Sequence, residues 1–208
     1  MSLQQMLIFA MLALVAGCAT MSEQECMVSD WRTIGFEDGS RGYTADRIGS
    51  YRQACSEHGV TPDLAEYREG RREGLEEFCR AQNGFSVGSS GRSYAGVCPA
   101  ELEPDFLAAY NEGRRLHDLK RRVSGVDSQI AQKDRQIAEI EEQIDAHEDM
   151  IVADGTGTLE RARLLLEAKE LLDQRKDLER EIDQLERDRE AYQKELDDYR
   201  EAVAYNLR

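Results

Sequence analysis

The chain has 208 residues, with 27 Lys and Arg against 42 Asp and Glu, for a formal net charge of -15. An acidic surface repels phosphate and anionic headgroups, which excludes a general nucleic-acid binder. Only 40% of residues are apolar and 7% aromatic, so the length fits one or two modest domains rather than a single large core.

Residues 6–16, MLIFAMLALVA, form an apolar run too short to span about 30 Å of hydrocarbon but suited to the core of a signal peptide. The run ends in Val15-Ala16-Gly17-Cys18, small residues before a cysteine. This resembles the bacterial lipoprotein signal, in which that thiol is diacylated and becomes the new N-terminus. The expectation is a signal peptide over 1–17, lipidation at Cys18 and a short tether over 18–25. A signal whose cysteine is incidental is the alternative, and MSLQQ carries no Lys or Arg to serve as a basic n-region. Each buried acyl CH2 contributes about 0.8 kcal/mol, so two or three chains would make the lipid bilayer a persistent partner through acylated Cys18. Ala19, rather than Asp, follows the cysteine, as in lipoproteins sorted to the outer membrane, which predicts anchorage on its periplasmic face.

Beyond Cys18 stand Cys26, Cys55, Cys79 and Cys98. An even set in a chain expected to leave the cytoplasm predicts two disulfides. Four thiols allow three pairings, of which sequence order favours Cys26 with Cys55 and Cys79 with Cys98, each closing one local unit and contributing about 3 kcal/mol. There is no CxxC, and His58, His117 and His147 are scattered, so structural pairing outranks a metal or a redox couple.

Thr44 to His58 reads as a helix, with Ile48, Tyr51 and Cys55 at spacings of three and four and Gly59 as its stop. A second start comes directly after, with Thr61 as cap, Pro62 in the first turn and Asp63 and Glu66 at the positive end. Leu64, Tyr67, Leu75, Phe78 and Cys79 carry its apolar side as far as Asn83-Gly84. Residues 84–98, GFSVGSSGRSYAGVC, read as a small hairpin or a compact glycine-rich loop. Without a Gly-Lys-Ser/Thr sequence this is no phosphate loop.

Trp31-x-x-x-Gly35, Tyr67-x-x-Gly70-x-x-x-Gly74 and Tyr110-x-x-Gly113 each place an aromatic one turn before a glycine. Glycine costs about 1 kcal/mol in a helix interior relative to alanine, so the repetition predicts close backbone approach between helices. Trp31, Tyr43, Tyr67 and Tyr94 are accordingly candidates for packing; the alternative is that they line a ligand groove.

Asp30-Trp31 with Gly35 and Asp38-Gly39, Pro62-Asp63 with Tyr67 and Gly70, and Gly74-Leu75 with Cys79 form one part of a wider pattern. Gly88, Gly91, Tyr94, Gly96, Cys98-Pro99 and Tyr110-x-x-Gly113 complete it. Over roughly residues 24–118 the chain resembles an uncharacterised bacterial envelope lipoprotein family, domain of unknown function 2799. The resemblance implies an envelope location and the same cysteine framework, and brings no activity, substrate or catalytic residue with it. Family members commonly have shorter tails.

The tail from Asp105 to Arg208 has 27 acidic and 18 basic residues, a density that alone would indicate disorder. Periodicity overrules it. Leu116, Leu119, Val123, Val126, Ile130, Lys133, Ile137, Ile140, Ile144, His147 and Ile151 alternate spacings of three and four. Ala153-Asp154-Gly155-Thr156-Gly157-Thr158 interrupts, with Thr158 able to cap the next helix. Leu164, Leu171, Leu178, Leu185, Tyr192 and Tyr199 then recur every seven residues, accompanied by Ala168, Ile182, Leu196 and Val203 and broken by Arg175 and Arg189. Two such helices around a short turn are antiparallel neighbours, placing Leu116 and Leu119 near Tyr192, Leu196 and Tyr199, and Lys133 near Asp177. The hairpin either stands alone or joins a second copy or an envelope protein through residues 115–208.

The fold class expected is mainly α: a small disulfide-stapled helical domain with a short hairpin or loop over 26–114, then a long antiparallel coiled-coil hairpin over 115–208 turning at 152–158. No GxSxG, HExxH or calcium-loop motif occurs, and adjacent acids such as Glu76-Glu77 and Asp197-Asp198 do not converge. The functional expectation is a non-enzymatic, periplasm-facing outer-membrane lipoprotein with a structural or protein-interaction role, without catalytic residue, cofactor, metal or nucleic acid. The alternative is a small-molecule or glycan-binding module using the aromatic groove.

Overall fold

The structure is a computed structural model that describes residues 21–206; the signal segment and Cys18 lie outside them. The helices, in chain order, are α1 Glu23–Val28, α2 Trp31–Ser40, α3 Arg47–Ser56, α4 Leu64–Phe78, α5 Ala81–Ser89, α6 Glu103–Val152 and α7 Thr158–Asn206, and no strand occurs among the described residues. The mainly α fold class therefore holds. The described residues divide into two compact units: residues 21–88 with Arg92–Asn111, and Ser89–Gly91 with residues 112–206.

Local chemistry sets most helix boundaries in the first unit. Ser22 and Glu25 form a reciprocal capping box at α1, and Asp30 accepts from the backbone N–H groups of Arg32 and Thr33 at α2. These bonds satisfy amides that a helix start leaves unpaired. α1 begins at Glu23, inside the stretch expected to be tether. The cap of α4 is Asp63, which accepts from Ala65 and Glu66 N–H, not Thr61; a carboxylate immediately before the first turn also faces the positive helix end. Gly59 follows α3 with φ 70°, a left-handed position that glycine occupies without a Cβ penalty.

Two sequence readings require correction. The helix expected to run to Gly84 ends at Phe78, and α5 starts at Ala81. Residues up to Ser89 are consequently helical, and the loop expected over 84–98 is confined to residues 90–98. Val87 at 2% exposure shows why: Gly84, Val87 and Gly88 make one buried face at helical spacing, a pattern that reads as turn-rich when the glycines are taken as breakers.

Disulfides join Cys26 to Cys55 and Cys79 to Cys98, the pairing that sequence order favours. Each lies in its own apolar cluster. Cys26, Trp31, Cys55 and Tyr67 form one, with Ile34, Ile48, Tyr51 and Val60 against it. Leu75, Phe78, Cys79, Val87, Cys98 and Phe106 form the other, flanked by Tyr94, Val97, Leu102 and Tyr110.

The glycine echo has a concrete cause. A Cβ on Gly35 would stand 2.1 Å from the Tyr67 carbonyl oxygen, and one on Gly70 1.9 Å from that of Arg32. Gly39 meets the Arg71 carbonyl at 2.3 Å and Gly74 that of Phe36 at 2.1 Å in the same sense. Residue numbers rise together along these contacts, so α2 and α4 cross in parallel at a separation only glycine permits. At Gly84 a Cβ would lie 2.4 Å from the Phe106 carbonyl oxygen, bringing α5 against α6 in the same way.

This second crossing repeats the first in sequence. Gly35-Phe36-x-x-Gly39-x-x-Gly42 matches Gly84-Phe85-x-x-Gly88-x-x-Gly91, and Tyr67-Arg-Glu-Gly-Arg-Arg72 matches Tyr110-Asn-Glu-Gly-Arg-Arg115. The stapling cysteines Cys55 and Cys98 stand equally far before their tyrosines. Corresponding conformations agree: Gly42 and Gly91 have φ 73° and 79°, and each lies at a turn tied down by a matching arginine. Arg71 donates to the Tyr43 carbonyl at 2.8 Å and Arg114 to the Gly91 carbonyl at 3.1 Å. The sequence pattern of a glycine-packed, cysteine-stapled helix pair thus occurs twice.

In the second unit α6 and α7 run antiparallel. Arg122 pairs with Glu195 at 2.7 Å, Arg175 with Glu141 at 3.7 Å, and Tyr199 Oη donates to the Glu112 carbonyl at 2.9 Å; one partner's number falls as the other's rises. Leu119, Val123 and Leu196 are buried together, with Leu116, Tyr192 and Tyr199 against them, as the heptad spacing predicts. α7 starts one residue earlier than a Thr158 cap would require, since the Gly157 carbonyl accepts from Arg161 N–H.

Candidate functional site

A buried carboxylate is the focus of the first unit. Asp38 is 2% exposed on α2. Tyr67 Oη donates to its Oδ2 at 2.9 Å and Tyr51 Oη to its Oδ1 at 3.3 Å. Arg47 Nε lies 3.0 Å from the same Oδ1 and donates to Tyr51 Oη at 3.0 Å, its guanidinium 4.1 Å above the Tyr43 ring. A charge at such burial requires partners, and α2, α3 and α4 each contribute. Burial first, then the hydrogen bond and negative charge of Asp38, hold the Tyr67 phenol well above its ordinary range. Burial likewise raises Tyr51, with the Arg47 hydrogen bond opposing it. A proton is therefore kept on each phenol facing Asp38, an arrangement that ties helices together. In the repeated helix pair the corresponding position is Val87, also 2% exposed, so the crossing itself can be built without the acid.

The four aromatics singled out in sequence are not brought together. Trp31 and Tyr67 belong to the cluster with Cys26 and Cys55. Tyr94 packs on the other cluster, where its hydroxyl donates to Glu103 at 2.8 Å and accepts from Cys98 N–H at 2.9 Å. Tyr43 is 39% exposed, stacked by Arg47. A surface groove in this unit is lined by Gly49, Arg52, Gln53, Ser56, Val60, Thr61 and Pro62, none of these rings among them.

Along the hairpin, each interruption of the apolar seam is answered from the opposite helix. Lys133 pairs with Glu181, one turn beyond the Asp177 expected. Arg175 pairs with Glu141 and Arg189 with Asp127, while His147 Nε2 lies 4.0 Å from Glu167 Oε2. These half-exposed pairs contribute little stability each but align the two helices, as polar seam positions do in heptad packings.

The turn end carries the feature that heptad reading missed. Leu159 is 87% exposed, Val152 77%, Leu166 68%, Leu165 57% and Met150 46%. Only Leu164 of the Leu164-Leu165-Leu166 run enters the seam, at 3% exposure. The signal was present in that run, because a two-helix seam has room for one of three consecutive leucines.

Among the described residues no group of His, Cys, Asp and Glu could hold a metal ion, and no helix is long and apolar enough to cross a membrane. No curated protein and no solved structure matches the chain. Residues 30–115 match the family model described as protein of unknown function (DUF2799), close to the limits of the resemblance read from the motifs. That segment, which holds the doubled helix pair and three of the four paired cysteines, is what the chain shares with the DUF2799 family.

Proposed function

We propose that this chain is a non-enzymatic lipoprotein of the outer membrane, held on the periplasmic face through acylated Cys18, whose hairpin has a structural or protein-interaction role in the cell envelope. The observation that carries the interaction role is the row of exposed apolar side chains at the turn end, from Met150 to Leu166. Several large apolar side chains left exposed at one end of a hairpin are characteristic of contact sites. The anchor is supported by the apolar run ending at Cys18, and an oxidising compartment by the two disulfides. The charged groups around Asp38 are engaged in holding α2, α3 and α4 together.

Intact-mass measurement of the mature protein from its native host tests the anchor. The expected result is a chain beginning at Cys18 with a diacyl addition, gaining two hydrogens per disulfide on reduction; an unmodified Cys18 overturns it. Crosslinking in intact cells tests the interaction role, which fails if the protein is recovered only as an isolated monomer across envelope conditions.

A further inference from the structure

We propose that the turn end of the hairpin is a self-association site, at which α6 of one copy packs against α7 of a second copy and the reverse. The proposal rests on the interaction reading above and names its partner.

Two independent features of the surface fit each other. The first is apolar. Leu159, Ala162 and Leu166 recur at three and four residues on α7, outside the seam that buries Leu164 and Ala168, and so form a second stripe. Met150 and Val152 supply exposed apolar groups from α6. The second is charge. Residues 136–152 of α6 contain six acidic side chains and no Lys or Arg, whereas residues 158–170 of α7 are balanced, with Arg161, Arg163 and Lys169 against Glu160, Glu167 and Glu170. Asp145, Glu148 and Asp149 of α6 and Lys169 of α7 have no salt-bridge partner among the described residues, so Lys169 is the cation available to a carboxylate of a second copy's α6.

A twofold pair uses both features, because a symmetric interface presents the same patch from each side. With the two hairpins side by side, α6 meets the second copy's α7 in antiparallel orientation on both sides, a four-helix arrangement. Retaining the register of the Lys133–Glu181 pair sets Asp145 opposite Lys169 of the second copy. The same acidity disfavours an anionic bilayer as the occupant, since Asp145, Glu148, Asp149 and Asp154 would face its headgroups.

Sedimentation velocity of the full-length protein over a concentration series tests this. The wild type is expected to dimerise reversibly, and Leu159→Glu with Leu166→Glu to weaken dimerisation by more than about a hundredfold. Circular dichroism should be unchanged, as both side chains are exposed. Asp145→Lys and Lys169→Glu, each alone, should weaken it up to about tenfold. Mixing these two single variants should restore dimers, because each then meets an opposite charge on the other copy; a purely intramolecular effect could not be rescued by mixing. A wild type monomeric at every concentration overturns the proposal, as does a dimer insensitive to the leucine changes. If the wild type is monomeric and the leucine changes remove crosslinks in cells, a different protein occupies the site and the broader interaction reading survives.

Discussion

At the residue scale, the glycines of α2 and α4 are where single atoms decide the fold. A methyl group at Gly70 would meet backbone, not a mobile side chain, so the helices must separate. Gly70→Ala gains about 1 kcal/mol of helix propensity and loses more through overpacking, for a net destabilisation of about 2 kcal/mol in denaturant titration. Asp38 acts through its partners. Asp38→Ala strands the buried Tyr67 hydroxyl and is expected to cost about 2 kcal/mol by the same measurement, whereas an exposed carboxylate such as Glu57 should be replaceable at little cost. Tyr199 provides a pH dependence. Burial first, then its hydrogen bond to Glu112 and that residue's charge, push its phenol up to about 12 from an ordinary 10.0. The folded state thus retains a proton that the unfolded state releases, so this contribution is complete below pH 10 and is lost as pH rises from there to about 12. Thermal melts should show the wild type losing stability over that alkaline range more steeply than Tyr199→Phe.

At the scale of elements, both glycine-packed crossings are parallel, and each therefore needs a connection that carries the chain back. The first connection contains α3 and the second is the loop after α5; the disulfides tie Cys55 in one and Cys98 in the other to the helical framework. In the hairpin, polar seam residues align the helices at some cost in burial. Lys133 keeps 23% of its side chain exposed and its partner Glu181 58%, so the pair contributes at most about 1 kcal/mol. Lys133→Leu adds apolar burial worth about 1 kcal/mol or more and should raise the midpoint of thermal unfolding; a lowered midpoint would show that the ion pair outweighs the seam.

At the scale of the molecule, the two units draw on different forces. The cysteines Cys26, Cys55, Cys79 and Cys98 all lie in the first unit, where closing loops of 29 and 19 residues contributes about 3 to 4 kcal/mol each. The second unit depends on its heptad seam. Calorimetry should resolve two transitions, and reductant should lower only one, leaving the helical signal of residues beyond Glu112 in place; a single transition abolished by reductant would contradict this division.

Helix type, seam positions and the pairing of cysteines were legible in the chain because each is a matter of local spacing. Heptads declare which side of a helix is buried whatever lies opposite, and neighbouring cysteines in a row close the shortest loops. Boundaries near Thr61, Gly84 and Thr158 were not so legible, since a polar residue or glycine serves equally as cap, breaker or contact until its neighbour is known. Only the tertiary structure decided that the glycines are contacts, that Asp38 is buried by Tyr51, Tyr67 and Arg47, and that the leucines beside Leu164 are left in solvent. Those outcomes depend on which backbone passes within a few ångströms of a residue distant in sequence, and periodicity along one helix contains no information about that distance.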